Sequence, residues 1–267
     1  MIVDAFLYDG EHELLDVRLA ELDPVVDVYV PVVANRTHQG DVAEPVNLGE
    51  KVSEYRDPRV VPYMVDLSMF DGRGRGGAGH PDYQVRERHH RDGAMPGAGA
   101  AGAKPGDLVL VSDVDEIPRA IDVRRVDRLL HDGDVMVFEQ RMHAFALDWL
   151  HPQCWLGTMA TRLVGHGWRY SPQEMRDLRG QQDVCPQYPQ GGWHLSYMNG
   201  TAACERKRGR FSHAEHLLVD DHSFDGFRQR GIDVNGVEMR RVAPEGYDWP
   251  DGLLDCARTN PEAAWRL

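Results

Sequence analysis

Three acidic residues, Asp113, Asp115 and Glu116, lie within four positions of one another directly after the apolar run 108–111. Neighbouring carboxylates repel one another, and a divalent cation would relieve that repulsion. Mg²⁺ and Mn²⁺ prefer oxygen ligands and keep coordination positions open for the phosphates of a substrate. The cluster therefore predicts a metal-bridged diphosphate site. The alternative is a solvated acidic turn that caps the next helix, a role for which Glu116 alone would suffice.

An alternation of strands and helices is predicted to position this cluster. Apolar runs at 2–8, 25–33, 59–65 and 107–111 are typical of strands buried on both faces of a parallel sheet. Helices are predicted over 11–22, with Asp9 as N-cap, and over 120–130. Further strands are predicted at 134–140, 155–164 and 192–198. Pro118 is predicted to end the strand of the cluster, which places the acids at the carboxyl edge of the sheet, where ligands bind.

Composition narrows the class of protein. The chain has 267 residues and a formal net charge of −13, which argues against a sequence-independent coat on nucleic acid or anionic membranes. Of its 30 cations, all but Lys51, Lys104 and Lys207 are arginines, a bias that we attribute to genome composition. The cysteine spacing matches no zinc or disulfide framework, and neither a signal peptide nor a membrane-spanning run is visible. We therefore expect a cytoplasmic protein of a bacterium or a virus in its host.

Two segments rich in small residues interrupt the pattern. Residues 71–79 (DGRGRGGAG) and 93–103 (GAMPGAGAAGA) are predicted to be flexible surface loops. The sequence contains no internal repeat. The remaining elements predict a single α/β domain over 1–267.

Four segments of the chain resemble glycosyltransferase family 17 and occur in that family's order. They are IVDAFLY, EHELLDVRLAEL and VVD within 2–27, SDVDEIP at 112–118, GWHLSY at 192–197 and FSHAE at 211–215. Together they span residues 2–215. The resemblance implies a Rossmann-like GT-A fold, with a mostly parallel central sheet and helices on both faces. It also implies a nucleotide-sugar-binding half at 1–118 and an acceptor-side half at 119–267.

The resemblance further implies a reaction. A nucleotide-sugar, UDP-linked by expectation, would donate N-acetylglucosamine or another hexose to an acceptor hydroxyl with inversion at the anomeric carbon. Mn²⁺ or Mg²⁺ would stabilise the leaving diphosphate. Asp113 and Asp115 would hold the metal, and His213 would add a third ligand, with His194 as the other candidate. The non-functional roles of these two histidines are a helix cap for His213 and a buried core residue for His194.

A general base near the acceptor is the next requirement. We predict Asp183 in this role and His194 as the second candidate, because an acceptor-side loop would fall between the acidic cluster and Gly192. Spacing does not separate these two from Asp177, Glu139 and Asp148.

The predicted donor-binding residues are Glu11, Arg18, Asp113, Asp115, Glu116, Arg176, Arg179 and Trp193. Arg176 and Arg179 share a helix face and would hold diphosphate oxygens, or would form a solvated surface. Glu11 and Arg18 would border the nucleotide base, or would be a surface pair. Trp193, on the same strand face as Tyr197, would stack on the sugar ring, or would belong to the core.

Several alternatives remain open at the level of sequence. The acceptor would be a glycan, a lipid-linked or protein-linked saccharide, or a hydroxymethylated base in DNA. Basic patches at 205–210 and 72–75 would hold DNA phosphates in the last case, although such patches also occur as a charged helix turn and a loop. A metal-dependent hydrolase of nucleotide-sugars and a non-catalytic sugar-binding module are the other two classes.

Overall fold

Four parallel strands form the first half of the central sheet. The computed structural model describes residues 1–43, 57–71, 82–198, 200–210, 224–244, 247–250 and 253. Strands β1 (Ile2–Leu7), β2 (Val28–Ala34), β3 (Tyr63–Val65) and β4 (Leu108–Asp113) pair in the order β4-β1-β2-β3, all in parallel. The apolar side chains of β1, β2 and β4 are largely buried on both faces of the sheet, which explains the unbroken apolar runs in the sequence.

The second half of the sheet is mixed. It contains β5 (Glu116–Pro118), β6 (Val135–Ala144), β7 (Trp149–Leu150), β8 (Trp155–Arg162), β9 (Gln187–Ser196) and β10 (Arg240–Arg241). Strand β8 lies antiparallel between β4 and β6, whereas β9 runs parallel to β6 and antiparallel to β5. The predicted strands in this half are therefore confirmed, and the sheet is parallel mainly in its first half.

Helices cover both faces of the sheet, as predicted. Helices α1 (His12–Leu22) and α4 (Ala120–Leu129) pack on one face, and α2 (Asp82–Asp92), α3 (Ala94–Ala100) and α5 (Pro172–Leu178) pack on the other. Two later helices, α6 (Gly200–Arg210) and α7 (Phe224–Arg230), join a smaller apolar cluster with Phe145 at the end of β6. The α/β class with helices on both faces is thus confirmed.

Two local predictions are wrong. Residues 93–103 are not a loop throughout, because 94–100 form α3. The small residues bring this helix close to the sheet: a Cβ on Gly97 would lie 2.9 Å from Val30 Cγ1 and 3.0 Å from Tyr63 Cβ. Asp9 does not cap α1, whose N-cap is Glu11 without a side-chain hydrogen bond. Of the other predicted loop, 71–79, all but Asp71 lies outside the described residues.

Candidate active site

The carboxyl ends of β1, β2 and β4 meet in a pocket that encloses about 420 Å³, including open solvent at its mouth. Strand β1 leads into Tyr8 and Glu11, β2 leads into His38, and β4 ends at Asp113 with Asp115 just beyond. This confirms the predicted position of the acidic residues at the carboxyl edge of the sheet, where open α/β sheets bind ligands.

A buried arginine of α1 fixes the backbone of the acidic segment. Arg18 is fully buried and forms a two-pronged ion pair with Asp4, at 2.6 and 2.7 Å. It also donates to Ser112 Oγ at 2.6 Å and to the carbonyl oxygen of Glu116 at 2.8 Å, with longer bonds to the carbonyls of 113 and 114. Arg18 therefore lies beneath the pocket. The prediction that it borders a nucleotide base is wrong, because its donors are directed at the protein's own carbonyls.

Glu116 is a buried anchor and not part of the pocket wall. Its Oε1 accepts from Trp155 Nε1 at 2.6 Å, and both of its oxygens accept from Arg176 at 2.8 and 2.9 Å. Its Oε2 also accepts from the backbone N–H of Asp113 at 3.0 Å. Since these bonds surround the carboxylate, Glu116 orients Asp113 from behind. Its predicted direct contact with a donor is not what the structure shows.

Arg176 and Arg179 do not form the predicted diphosphate clamp. Arg176 contacts Asp113 and Glu116, and Arg179, just past the end of α5, donates to the carbonyl of Leu156 at 3.0 Å. Both guanidinium groups lie beside the ring of Trp155, and neither lines the pocket. Burial, reinforced by Arg176, lowers the pKa of Arg179 to about 10. The pair therefore braces the acidic cluster.

Asp113 is held between two guanidinium groups. Its Oδ1 lies 3.3 Å from Arg91 and its Oδ2 lies 3.3 Å from Arg176. Burial raises the pKa of Asp113, but the positive charges of Arg176 and Arg91 outweigh burial and hold the pKa below its usual value. The carboxylate is therefore ionised at neutral pH.

Asp115 points toward a lysine and a histidine. Its Oδ2 lies 2.7 Å from Lys207 Nζ of α6 and 3.6 Å from His194 Nε2 of β9. Burial raises the pKa of Asp115, but Lys207 and His194 together hold it far below the usual range. The same contact, with a contribution from Glu11, raises the pKa of Lys207 against the effect of burial. Asp115 is thus ionised and forms an ion pair with Lys207.

Glu11 lies at the site, as predicted, and shares Lys207 with Asp115. Its Oε1 lies 3.7 Å from Lys207 Nζ. Burial, only partly offset by Lys207, raises the pKa of Glu11 to about 7. The carboxyl group therefore changes its charge near neutral pH, in contrast to Asp115.

Two buried histidines form the β2 side of the pocket. His38 Nε2 lies 3.1 Å from His90 Nδ1, and His90 Nε2 lies 2.9 Å from the carbonyl oxygen of Val32. Burial, the largest cause, lowers the pKa of each to about 4, so both are neutral at pH 7. Because a carbonyl only accepts, His90 carries its proton on Nε2, and His38 then donates from its own Nε2. These two histidine side chains are polar and uncharged, unlike the acidic residues of the pocket.

The predicted stacking role of Trp193 is wrong. Trp193 is 2% exposed, packs in the main core and donates from Nε1 to the carbonyl of Asp248 at 3.0 Å. Neighbouring side chains of β9 point to opposite faces of the sheet, so Trp193 points into the core and His194 points toward Asp115. Tyr197 does not share the face of Trp193, because β9 ends at Ser196 and Tyr197 adopts a positive φ of 53° that places it in the cluster with Phe145.

The two predicted general bases lie in different places. His194 is 7% exposed and adjoins Asp115, with its ring centroid 4.9 Å from that of Trp155. Asp183 lies on an exposed turn before β9 and does not line the pocket. Gln187 and His194 pair with Val137 and Met142 of β6, which are five residues apart, or about 17 Å at 3.3 Å per residue. This separation argues against Asp183 at the reaction centre.

The other acidic candidates for the base are also occupied elsewhere. Asp177 pairs with Arg88 at 3.4 Å, and Asp148 pairs with Arg241 at 2.9 Å. Glu139, in β6, does not line the pocket. His213, the predicted third metal ligand, lies outside the described residues.

The basic patch at 205–210 faces the pocket. Lys207 contacts Asp115, and Arg210 forms a two-pronged ion pair with Asp9 at 2.6 and 2.7 Å. The side chains of Glu205 and Arg206 are exposed. The prediction that this patch holds DNA phosphates is therefore not supported by Lys207 and Arg210, because both are directed at the protein's own carboxylates. The side chain of Arg208 lies outside the described residues. The patch at 72–75 lies outside the described residues.

The residues of the acidic segment fit a divalent cation in two respects. Asp113 and Asp115 are ionised oxygen donors, the ligand type that Mg²⁺ and Mn²⁺ prefer. Lys207 Nζ, seated between Asp115 and Glu11, shows that a cation is stable at this position. Within the described ranges no three metal-binding side chains converge.

Sequence reasoning missed several residues of the pocket. His38 and His90 line the pocket and Arg91 pairs with Asp113, but none of them carries a recognisable motif. His90 and Arg91 reach the site because α2 packs against β2. Lys207 did carry a signal: it is one of three lysines in a chain that otherwise uses arginine. The ammonium group of lysine is compact and its side chain is flexible, whereas the guanidinium group of arginine is planar. A lysine in this arginine-rich chain therefore indicates that its position requires the smaller cation.

An acidic Asp-x-Asp segment at the carboxyl edge of an α/β sheet is the arrangement that the resemblance to glycosyltransferase family 17 implied. The model of glycosyltransferase family 17 matches residues 1–263. The chain therefore belongs to glycosyltransferase family 17.

Curated relatives match part of the chain. The beta-1,4-mannosyl-glycoprotein 4-beta-N-acetylglucosaminyltransferases of Homo sapiens and Rattus norvegicus are each 29% identical over 157 residues, which is 57% of this chain. The match spans 28% of the length of these relatives.

Among solved structures, the galactosyltransferase LgtC in complex with donor and acceptor sugar analogs is 14% identical. The match covers 68% of this chain and 65% of the LgtC chain, with a TM-score of 0.35. The match to an active-site mutant of LgtC, also 14% identical, covers 97% of this chain and 95% of the mutant chain, with a TM-score of 0.38.

In the part of the chain that the structure describes, no helix has the length and apolar character needed to cross a membrane.

Proposed function

We propose that this protein is a metal-dependent, inverting glycosyltransferase that transfers a hexose from a UDP-sugar to a hydroxyl group of a glycan. The observation that carries the proposal is the ionised Asp115 beside Lys207 in a pocket at the carboxyl edge of the sheet. The names of the curated relatives support N-acetylglucosamine as the sugar.

Asp113 and Asp115 would hold Mn²⁺ or Mg²⁺ by their carboxylate oxygens. The metal, when bound, would neutralise charge that develops on the leaving diphosphate. The chain's own contribution is to keep both carboxylates ionised and oriented: Arg18 fixes the backbone of the segment, and Glu116 with Arg176 fixes Asp113. This preorganisation avoids reorganisation during the reaction.

The two sides of the pocket suit the two ends of a nucleotide. The charged side, with Asp115 and Lys207, suits a diphosphate with its metal. The part of the pocket that follows β2, with Ala34 and the neutral His38, suits an uncharged base, and Arg36 beside them pairs with Asp71. This division supports a nucleoside diphosphate as the bound part of the donor.

His194 takes the role of general base in this proposal. It adjoins Asp115, whereas Asp183 lies on an exposed turn. Because His194 Nε2 lies 3.6 Å from Asp115, the proton of the acceptor hydroxyl would pass to Nδ1, a buried atom without a hydrogen-bond partner in the described part of the chain. The carboxylate of Asp115 would then stabilise the imidazolium that forms. Inversion requires this base on the face of the sugar opposite the leaving diphosphate.

The first experiment is a thermal-shift screen of UDP-, GDP- and dTDP-sugars in Mn²⁺. A ligand that binds the folded state stabilises it by about 2.7 kcal/mol at a concentration of 100 Kd. For a chain of this size that is a rise in Tm of about 5–11 °C. We expect UDP-N-acetylglucosamine to give the largest rise. If no nucleotide-sugar raises the Tm, the proposal is wrong.

A second experiment separates transfer from hydrolysis. With the best donor, release of UDP and of free sugar is measured with and without a panel of saccharide acceptors. The proposal expects UDP release to depend on an acceptor and the sugar to appear in the product. Free sugar released equally fast without acceptor would instead assign the site to a nucleotide-sugar hydrolase.

A further inference from the structure

Lys207 and a divalent cation would compete for the carboxylate of Asp115, because both are positively charged and would repel each other there. Lys207 Nζ lies 2.7 Å from Asp115 Oδ2, which is the length of a charge-assisted hydrogen bond. The Asp115 side chain is 4% exposed, so little of the carboxylate is left open around this contact. A cation that ligates Oδ2 must therefore displace the ammonium group.

The surroundings of Lys207 offer it a second position within the pocket. It is carried by α6, its stem is flexible, and Glu11 Oε1 lies 3.7 Å from Nζ. The Lys207 side chain is 18% exposed and lines the same pocket as Asp113 and Asp115. An ammonium released from Asp115 therefore stays beside the place where a metal-bound diphosphate would lie.

The arginines of the cluster do not share this freedom. Arg176 is tied to Glu116 as well as to Asp113, and Arg91 is tied to Gln173 at 2.7 Å and to Glu87 at 2.9 Å. Moving either guanidinium group would also disturb its contact with a second side chain, Glu116 for Arg176 and Gln173 for Arg91. Lys207 is thus the better suited of these cations to change partners.

We propose that Lys207 couples metal binding to diphosphate binding by changing partners. Without ligand it neutralises Asp115 and competes with the metal; with ligand it moves from Asp115 to an oxygen of the diphosphate. This inference rests on the proposed function of the same site. No covalent bond changes in the exchange, and one ammonium–carboxylate contact is replaced by a metal–carboxylate and an ammonium–phosphate contact.

The exchange predicts effects of opposite sign from a single substitution. Lys207→Met removes the competitor of the metal, so Mn²⁺ binds Asp115 more tightly in the absence of nucleotide. It also removes a ligand of the diphosphate, so UDP binds more weakly at saturating Mn²⁺. Coupling between two ligands typically changes affinity by about 5–150-fold. We expect about a tenfold gain for Mn²⁺ and about a tenfold loss for UDP, within this range.

The test measures both affinities directly. Mn²⁺ binding is followed by electron paramagnetic resonance of the free ion, and UDP binding by calorimetry in Mn²⁺, for the wild type, Lys207→Met and Lys207→Arg. Lys207→Arg keeps the positive charge and is expected to keep Mn²⁺ binding weak. Lys104→Met, an exposed lysine outside the pocket, is the matched control and should change neither affinity.

The outcomes are distinguishable from those of the proposed function. If the wild type binds neither Mn²⁺ nor UDP, both the proposed function and the coupling are wrong. If the wild type binds both but Lys207→Met weakens Mn²⁺ or leaves it unchanged, the exchange is refuted and the proposed function stands. Lys207→Gln replaces Lys207→Met if the methionine variant does not fold, and the same opposite-sign result is required of it.

Discussion

Arg18 offers the sharpest prediction about how the fold supports the site. Its guanidinium and the carboxylate of Asp4 are both 0% exposed, and the two groups are joined by bonds of 2.6 and 2.7 Å. Arg18→Met leaves Asp4 as an uncompensated buried charge. Breaking a buried ion pair in this way costs about 3–5 kcal/mol. The carbonyl oxygen of Glu116 also loses one side-chain donor and keeps another, Thr158 Oγ1.

A loss of about 3–5 kcal/mol is a large part of the about 5–15 kcal/mol that stabilises a typical domain. For a chain of this size it lowers the Tm by about 6–20 °C. The assay is urea unfolding and thermal melting of Arg18→Met beside Arg128→Met, an exposed arginine on α4 that controls for the change of residue type. The double variant Asp4→Leu/Arg18→Met removes both charges and should recover part of the loss.

The same variant tests the positioning role of Arg18. Because Arg18 holds the backbone on both sides of Asp115, Arg18→Met should also lower transferase activity when assayed at a temperature where it remains folded. A variant within 1 kcal/mol of the wild type, about a fivefold change in the unfolding equilibrium, would refute the reasoning about the buried pair. A destabilised variant with full activity would refute the positioning role alone.

Three further predictions concern pH and catalysis. His143 is fully buried, and burial lowers its pKa to about 4 against the usual 6.5, so its contribution to stability is present above pH 6.5 and is lost as the pH falls to 4. His143→Gln should therefore remove about 3 kcal/mol of the acid destabilisation between pH 7 and 4, and parallel stability profiles of the two proteins would contradict this. His194→Ala should lower kcat about 10²–10⁴-fold with little change in the KM of the donor; an unchanged kcat would exclude it as the base. Asp183→Asn should keep the kcat of the wild type, and a comparable loss there would restore the assignment that the sequence favoured.

The sequence predicted the sheet well because its strands are buried on both faces. Continuous apolar runs such as 108–111 identify such strands without any knowledge of their neighbours. The helix 94–100 was not predicted, because a segment rich in glycine and alanine was interpreted as a loop. Packing against Val30 and Tyr63 requires small residues there. Local propensity was overridden by close helix–sheet contact.

Within the site, the sequence predicted which residues lie there better than it predicted which partners their side chains contact. Asp113, Asp115 and His194 come together as expected because the strand ends position them. Arg18 and Arg176 were assigned to a ligand, but their partners are carboxylates and carbonyls distant in sequence, which spacing alone does not reveal.

Trp193 is different, because a signal was present in the sequence. Neighbouring residues of a strand face opposite sides, so a functional His194 already implied a core position for Trp193. The same rule explains why Leu195 joins Trp193 in the core.

The central claim is that Asp115 lies at the centre of a site that binds a nucleotide-sugar through its diphosphate. The most direct measurement is calorimetric titration of a UDP-sugar in Mn²⁺ into the wild type, Asp115→Asn and Asp132→Asn, the last an exposed aspartate on a turn. We predict binding by the wild type and Asp132→Asn, and at least about a hundredfold weaker binding by Asp115→Asn, since about 3 kcal/mol is the scale of one lost charge-assisted contact. Equal affinity of Asp115→Asn and the wild type would contradict the account.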